Sequence, residues 1–436
     1  MYDRESAGGI AYPQTERYRY DSYFTTSGLT DGSQYQTLRF NVHQQNLLLH
    51  WTNAYMDIHG RLIQSDGGVY PTGSKIALIH NAIPHLFSNI KLTVGSHVVE
   101  NINHVGHVSS MIFNTLFPRS KAKTSGIQFM FVPDTDKSAE TEKNKGFKIR
   151  QFYLIESPDT SRGSFKLRVP LYLLWGFFEN FYALKGYPIE LELVRGPDYT
   201  TLFRDNDTEQ GKLTFSKFIL NIPIVDPCNA LLLESLKGIN DPKPFLFSFR
   251  QRHGLSAPVP PNQYDYQLNI STDSFHERPQ MIWVGFQRNP SATPTDQKFN
   301  HALYSHEDVE TAYIKMNNIQ YPSTLVKADF AGNDNGFFFE MQEHMRANYL
   351  QFPARFTEGN MLNPVNFKDL YTIYCFDVSK GDFSVSSTTV VTSLHVHFKV
   401  VTKANLIVYC SWYSDRTLEM HSDGKPLSIK SNDSYR

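Results

Sequence analysis

Two glutamates in the segment YPIELELVR are the residues most easily read as a catalytic carboxylate pair. Glu190 and Glu192 are two positions apart, and residues at that spacing share one face of a β-strand. A pair of carboxylates on one face could act as a general acid and a general base. The alternate positions Ile189, Leu191 and Leu193 form an apolar face, which is typical of a half-buried strand. We therefore predict that the glutamates are the solvent face of a strand and have no catalytic role.

Two histidines near the end of the chain could supply metal ligands. His395 and His397 also share a strand face, and imidazole nitrogens commonly bind zinc. The sequence offers no third ligand close by, and the neighbouring positions Leu394, Val396 and Phe398 form an apolar face. We predict a structural strand here, without a metal.

The remaining chemical candidates are few. His104 and His107 are one helical turn apart and are predicted to lie on the surface of a helix. The sequence has no glycine-rich phosphate loop and no G-x-S-x-G, H-E-x-x-H or C-x-x-C motif. Nothing in it assembles a nucleophile, a base and an oxyanion donor. We predict that the protein is not an enzyme and that it has no catalytic, cofactor or metal site.

The composition favours a large folded β protein. Among 436 residues, 40% are hydrophobic and 14% aromatic, with 32 Phe and 24 Tyr, which suits sheets and large interfaces. The formal net charge of −1 argues against a protein that coats nucleic acid. Cys228, Cys375 and Cys410 lack metal or disulfide spacing, so we expect them to be reduced and buried, as in a protein synthesised inside the cell.

The sequence shows no targeting or membrane segment. The first residues lack the pattern of a signal peptide. The longest apolar run, Leu171 to Phe178, is far too short to span a bilayer.

A hairpin followed by a helix is the clearest local pattern in the chain. Apolar and polar residues alternate through Ile90, Leu92 and Val94, and Gly95-Ser96 is a two-residue turn of the type that begins with glycine. The period then becomes helical, and Pro118 ends the predicted helix, whose apolar positions are Val105, Val108, Ile112 and Leu116.

The plan of strands, hairpin, helix and strands occurs twice, which predicts two all-β sandwiches in tandem. We place a first sandwich at 36–225, a connecting segment at 226–262 and a second sandwich with a C-terminal tail at 263–436. Residues 1–35 are predicted to be an extended arm, either disordered or ordered on a neighbouring subunit. The connecting segment includes a helix candidate, Asn229 to Lys237.

Several local predictions complete this plan. The charged tract from Asp134 to Lys148 is predicted to be a solvated loop, and Ile149 to Ile155 a strand. In the second half, Tyr313 to Tyr321 is predicted to be a strand-turn-strand. The apolar positions Phe367, Leu370, Tyr371 and Tyr374 recur at helical spacing, so they predict a helix.

Five segments of the chain, in order, carry a family resemblance. They are NAIPHLFSNIKLTVGSHVV (81–99), VPLYLLWGFFENFYALKGYPIELELVR (169–195), ERPQMIWVGFQ (277–287), FKDLYTIYCFDVSK (367–380) and HSDGKPLSI (421–429). With these segments the chain resembles, over about residues 36–430, the double jelly-roll major capsid proteins of Polinton/Maverick elements and of adintovirus-like and virophage-like viruses, including endogenous copies.

The resemblance implies two tandem eight-stranded jelly rolls with short helices in the connecting loops. It implies a homotrimer that forms a pseudo-hexameric capsomer and tiles an icosahedral shell, without cofactor or catalysis. The expected partners are neighbouring trimers, penton and minor capsid proteins, and an internal membrane or genome at the inner face, without sequence-specific binding of nucleic acid. The expected place is the virion capsid, assembled in the cytoplasm or nucleus of a host cell, with loops such as 134–148 and 288–298 facing outward.

Two other functions fit a double sandwich. A hydrolase on the same fold predicts acidic residues that converge in a cleft between the sandwiches. A non-catalytic carbohydrate- or receptor-binding protein predicts exposed aromatic residues grouped in one shallow site, whereas a capsid protein predicts them along its flanks.

Overall fold

A computed structural model of the chain shows a protein built mainly of antiparallel strands with a few short helices. The structure describes residues 15–25, 34–43, 48–156, 158, 160–179, 187–227, 245–270, 278–288, 296–317, 319–351, 359, 361–379, 392–420 and 428–431. The predicted helix at 229–237 and most of the loop at 288–298 lie outside these residues.

The first half forms a sandwich, here called the first roll. Its strands are β1 (Thr15–Phe24), β2 (Thr37–Val42), β3 (Leu48–Leu49), β4 (Tyr55–Gln64), β5 (Ile76–Leu78), β6 (Phe87–Val94), β7 (His97–Asn103), β8 (Ser164–Pro170), β9 (Ile189–Arg195), β10 (Leu202–Arg204) and β11 (Gly211–Pro227). One sheet, the terminal sheet, has the order β1-β11-β4-β8, with β3 beside β11. The other, the middle sheet, has the order β2-β9-β6-β7, and β5 pairs with β10.

The second half forms the second roll. Its strands are β12 (Phe245–Val259), β13 (Asp265–Ile270), β14 (Met281–Arg288), β15 (Val309–Met316), β16 (Ile319–Tyr321), β17 (Ile373–Asp377), β18 (Thr392–Phe398), β19 (Leu406–Met420) and β20 (Ser428–Ser431). Its terminal sheet has the order β12-β19-β14-β17, with β20 beside β19, and its middle sheet has the order β13-β18-β15-β16.

The two rolls share one topology. In each terminal sheet the first strand of the roll pairs with the last long strand, β1 with β11 and β12 with β19. Among the described residues, the main paths of the two sheets in each roll contain four strands each, which is the eight-stranded jelly-roll order; the short strands β3, β5, β10 and β20 are additional to it. The prediction of two eight-stranded jelly rolls is confirmed.

The two segments predicted to lie outside the sandwiches each contain a strand of a sheet. The predicted arm 1–35 contains β1, which pairs with β11 of its own chain. The predicted connection 226–262 contains β12, which pairs along its whole length with β19. Within 1–35, Tyr18, Tyr20 and Phe24 alternate with polar residues, a pattern that is typical of a strand. The connection 226–262 ends in a proline-rich stretch, but its strand β12 lies at the edge of the sheet, where proline is tolerated.

Six helices lie among the described residues: α1 (Ala82–His85), α2 (Val105–Leu116), α3 (Arg119–Lys123), α4 (Lys145–Ile155), α5 (Gly336–Leu350) and α6 (Pro364–Asp369). The predicted hairpin and helix of the first roll are confirmed as β6, β7 and α2. Gly95 adopts φ +61°, which a turn of this type requires. Every residue of α2 is buried, so this helix has no solvent face.

Two predictions around α4 are wrong. The segment from Ile149 to Ile155 is helical, because Phe147, Arg150 and Leu154 point inward at helical spacing and the side chain of Asn144 caps the first turn. The tract from Asp134 to Lys148 is only partly solvated, because Asp134 and Asn144 are fully buried.

Two further corrections concern the second half. Helix α6 ends at Asp369, and Tyr374 lies in strand β17, where it pairs with Val284. The helical spacing there was a coincidence of two buried elements in sequence. Helix α5 was missed, because its apolar residues alternate with charged ones without a strong stripe.

Candidate assembly surfaces and the junction between the rolls

Helix α2 of the first roll packs against the terminal sheet of the second roll. Strand β14 is buried on both faces: Ile282 and Val284 face the core of the second roll, whereas Met281 and Trp283 join the core of the first. The indole Nε1 of Trp283 donates a hydrogen bond to the Thr115 hydroxyl of α2 at 2.9 Å. The two rolls therefore share a continuous apolar core.

His107 lies inside this junction, and its predicted place on a helix surface is wrong. Its ring stacks on Tyr409 of β19 with 3.7 Å between centroids. Its Nδ1 lies 3.1 Å from the Tyr304 hydroxyl. His104 precedes α2 in the left-handed conformation and its Nε2 lies 3.0 Å from the hydroxyl of Ser256. Both histidines thus bind the second roll, a contact that helical spacing alone could not indicate.

Three buried histidines lie side by side in the junction. The ring of His107 lies 5.1 Å from that of His85 and 6.3 Å from that of His301. Burial holds the pKa of His85 and of His107 well below 6.5, and the neighbouring histidines lower them further. Burial also lowers the pKa of His301, to about 4. The cluster is therefore neutral in the native protein at neutral pH.

A second polar contact joins strand β7 to the second roll. The carboxylate of Glu100 accepts hydrogen bonds from the backbone N–H groups of Gly176, Phe177 and Arg252. Burial raises the pKa of Glu100 to about 7, while the Arg252 guanidinium lowers it in part. The Arg252 guanidinium lies 2.7 Å from a carboxylate oxygen of Glu179. These groups fix the orientation of the rolls, because each partner would be costly to leave unpaired.

The buried end of the charged tract forms a third contact. Asp134 pairs with Arg150 of α4 at 2.5 Å, and both side chains are fully buried. The other carboxylate oxygen of Asp134 accepts a hydrogen bond from Asn300 of the second roll at 3.0 Å. The backbone N–H of Asp134 donates to the Tyr371 hydroxyl at 2.7 Å. This segment therefore joins the two rolls through Asp134.

The two predicted carboxylates lie on a sheet face. Glu190 and Glu192 are partly exposed on β9, and Glu192 pairs with Arg39 of the neighbouring strand β2 at 3.1 Å. The predicted apolar face, Ile189, Leu191 and Leu193, is fully buried.

The histidine pair of β18 also lies on a sheet face. His395 stacks on Tyr313, and His397 has its Nδ1 2.8 Å from Asp265 and its Nε2 3.5 Å from Glu310. In the part of the chain that the structure describes, no group of three or more His, Cys, Asp or Glu side chains has the geometry of a metal site. Cys375 and Cys410 are buried and free, as predicted, and Cys228 lies outside the described residues.

Exposed apolar side chains occur on several flanks of the molecule. Tyr20 and Phe24 are exposed on β1, and Ile149, Phe152 and Tyr153 on α4. Others lie in the second roll: Leu246, Tyr264, Ile319, Leu325, Val365 and Val400. No described helix is both long and apolar enough to cross a bilayer.

A surface groove of about 860 Å³ lies between α4 and the terminal sheet of the first roll. Phe152 and Tyr153 form its aromatic side, and His59, Arg61 and Lys166 form its basic side. Glu156 is the one carboxylate among the residues that line it. The groove thus offers stacking surfaces and positive charge, but not the two facing carboxylates of a glycosidase.

Solved structures with a similar fold include viral capsid proteins. The chain is similar to a chain in the cryo-electron microscopy structure of the Sputnik virophage, with a TM-score of 0.59, 11% identity, and coverage of 99% of this chain and 91% of that chain. The mavirus major capsid protein matches with a TM-score of 0.54 at 10% identity, over 97% of this chain and 91% of that one. The Faustovirus major capsid protein matches with a TM-score of 0.54 at 8% identity, over 93% and 90%.

At these identities the likeness establishes the fold. No curated protein matches the sequence. The family model described as a double jelly roll-like domain matches residues 118–418, which include strands β8 to β11 of the first roll and most of the second roll. The chain belongs to the double jelly roll-like domain family.

Proposed function

We propose that the chain is a major capsid protein whose homotrimer forms a pseudo-hexameric capsomer of an icosahedral virus shell. The observation that carries the proposal is the match, over at least nine tenths of both chains, to the mavirus and Faustovirus major capsid proteins. Two rolls of the same topology in one chain supply six similar units in three chains. This arrangement gives a trimer a nearly six-fold outline.

The buried junction supports a structural role for the rolls. Ion pairs, aromatic stacking and a shared apolar core hold them in one relative orientation. A shell subunit needs such rigidity, because its contacts with neighbours must recur at every position. The function then depends on shape and surface, and requires no catalytic group or cofactor.

The proposed partners follow from this role. They are two further copies in the trimer, neighbouring trimers, and penton and minor capsid proteins, with a membrane or the genome at the inner face. The proposed location is the virion capsid, assembled in the cytoplasm or nucleus of a host cell. The exposed residues of the segment 134–148 are proposed to face outward.

Size-exclusion chromatography with light scattering on the full-length chain tests the trimer. We expect a mass of three times the 50.1 kDa of one chain. Negative-stain images of the same peak should show hexagonal outlines. A chain that stays monomeric over a range of salt and protein concentrations would refute the proposal.

The aromatic groove beside α4 favours a second candidate, a carbohydrate- or receptor-binding protein. Phe152 and Tyr153 are exposed together at its rim, and exposed aromatic rings commonly stack on ligands. A glycan array on the wild-type chain and on Phe152→Ser tests it. Binding that the substitution abolishes would support this candidate, and an array without any bound glycan would count against it.

A further inference from the structure

Because the two rolls share one topology, each strand of the first roll has a counterpart in the second. In the terminal sheets, β1, β11, β4 and β8 correspond to β12, β19, β14 and β17. In the middle sheets, the edge strand β7 corresponds to β16. A surface that is covered in one roll can therefore be compared with the equivalent surface of the other.

In the second roll, the outer face of the terminal sheet is covered by the first roll of the same chain. One row across this face consists of Gly254, Ser411, Trp283 and Cys375 on adjacent strands. Helix α2 and strand β7 lie over it. The approach is so close that a Cβ at Gly254 would be 2.4 Å from the carbonyl oxygen of Asn103. The contact is head-to-tail, since different surfaces of the two rolls meet.

In the first roll, the equivalent face is exposed at its β1 side. A row across it consists of Phe24, Ile219, Asp57 and Arg168 on adjacent strands. Phe24 is 65% exposed at the end of this row.

Tyr20 lies on the same face of β1, since the two residues are four positions apart on a strand. It is 48% exposed and packs against Tyr55 with 5.5 Å between ring centroids. Large aromatic side chains are thus exposed on β1, the strand that corresponds to β12, whose outer face the first roll covers.

The second roll exposes apolar groups at the complementary position. Strand β16 is the counterpart of β7, and its Ile319 is 42% exposed. Leu325, in the segment that follows, is 48% exposed. In the first roll, the strand and the segment in these positions are β7 and α2, which contact the neighbouring roll.

We propose that the β16 side of one copy, with Ile319 and Leu325, packs on the β1 side of a second copy, with Tyr20 and Phe24. This contact repeats between chains the head-to-tail contact that joins the rolls within a chain. Repeated head-to-tail contacts close into a ring when the rotation allows it, and three chains would supply six rolls. The inference rests on the proposed trimer and assigns its interface.

The difference in polarity between the two faces fits their different roles. The covered face of the second roll carries the large apolar side chains Met281, Trp283, Cys375 and Tyr413. They are already buried within the single chain, before any assembly. The face of the first roll keeps Asp57 and Arg168, joined as an ion pair at 2.9 Å. A face that is solvated before assembly must stay soluble, so the contact between chains is more polar than the contact within one.

Charge substitutions on the two sides test the interface. We expect Phe24→Glu and Ile319→Glu each to raise the concentration at which trimers dissociate by about tenfold or more, because a charge would be buried without a partner. Val400→Glu is the matched control, since Val400 is 51% exposed on the connection between β18 and β19 and is expected to leave the trimer intact. Circular dichroism and thermal melting check that each variant is folded.

Crosslinking gives an independent result that does not depend on a disruptive variant. Chains with Phe24→Cys and chains with Ile319→Cys are co-expressed under different tags and treated with a short bis-maleimide. We expect covalent dimers that carry both tags, and fewer of them when Val400→Cys replaces Ile319→Cys. The wild-type chain and each single variant alone give the background.

The outcomes separate the two proposals. A wild-type trimer with intact Phe24→Glu and Ile319→Glu trimers and no mixed crosslink would overturn the assigned interface and leave the proposed function standing. A wild-type chain that never trimerises would overturn both.

Discussion

Asp134 is a fully buried carboxylate with partners from both rolls. It pairs with Arg150 and accepts a hydrogen bond from Asn300. Removal of one member of a buried pair leaves the other charge without a partner. We expect Asp134→Ala to lower the free energy of unfolding by about 3–5 kcal/mol, measured by urea denaturation.

The exposed pair between Lys148 and Glu142 is the matched control for Asp134→Ala. It joins the same tract to α4 at 3.1 Å but lies in solvent. Glu142→Ala should change the unfolding free energy by less than about 1 kcal/mol. Equal effects of the two substitutions would contradict the anchoring role of Asp134.

The buried histidines make the stability of the chain depend on pH. Burial lowers the pKa of both His80 and His301 to about 4, below the 6.5 of an unfolded histidine. Between pH 4 and pH 6.5 the unfolded chain binds more protons than the native chain. The contribution of these histidines to the free energy of unfolding is therefore fully present above pH 6.5 and falls as the pH decreases toward 4. Each of the two contributes a loss on the order of 2 kcal/mol at pH 5.

Glu100 acts in the opposite direction, because burial raises its pKa to about 7 from 4.5. The native state then binds the additional proton between these values, so this group alone would favour the folded chain as the pH falls. His85 and His107, whose pKa values burial also lowers, reinforce the histidine effect. We therefore expect the melting temperature to fall from pH 7 to pH 5. His301→Leu should make that fall smaller, and an unchanged dependence on pH would count against the cluster.

At the scale of elements, the close contact of β7 with β12 depends on one glycine. A Cβ at Gly254 would lie 2.4 Å from the Asn103 carbonyl oxygen and 2.5 Å from a methyl group of Val108. We expect Gly254→Ala to lower the unfolding free energy by about 1–3 kcal/mol, because the backbones must separate. Differential scanning calorimetry measures the effect.

Gly336 is a suitable control for this substitution. It begins α5, and no atom lies within 4 Å of the position of a Cβ there. Gly336→Ala should be neutral or stabilise the chain by up to about 1 kcal/mol, since alanine favours a helix. A Gly254→Ala chain as stable as the wild type would contradict the packing described at the junction.

The elements themselves differ in how far sequence could predict them. Strands such as β6 and β9 were predicted because one buried face imposes strict alternation. Helix α4 was misread because its buried polar residue, Arg150, breaks the apolar stripe that marks a helix. The burial of Arg150 depends on its ion pair with Asp134, sixteen residues earlier in the sequence. Local patterns cannot show such a contact.

At the scale of the whole molecule, the repeated plan predicted two sandwiches but not their junction. The contacts of His107 with Tyr409 and of Trp283 with Thr115 join residues far apart in the sequence. Composition and spacing are local properties, so they predicted His107 on a surface. Which flank exposes Tyr20 or Ile319 depends on the pairing of strands that are far apart in the sequence, which local patterns do not contain.

The central claim is that three copies of this chain assemble with their rolls in a ring. Cryo-electron microscopy of the purified full-length chain tests it most directly, because it shows both the number of chains and the surfaces that meet. We expect six rolls in a hexagonal outline, with the Tyr20 and Phe24 side of each first roll covered by the second roll of the next chain. Single chains, or assemblies in which that side faces solvent, would contradict the account.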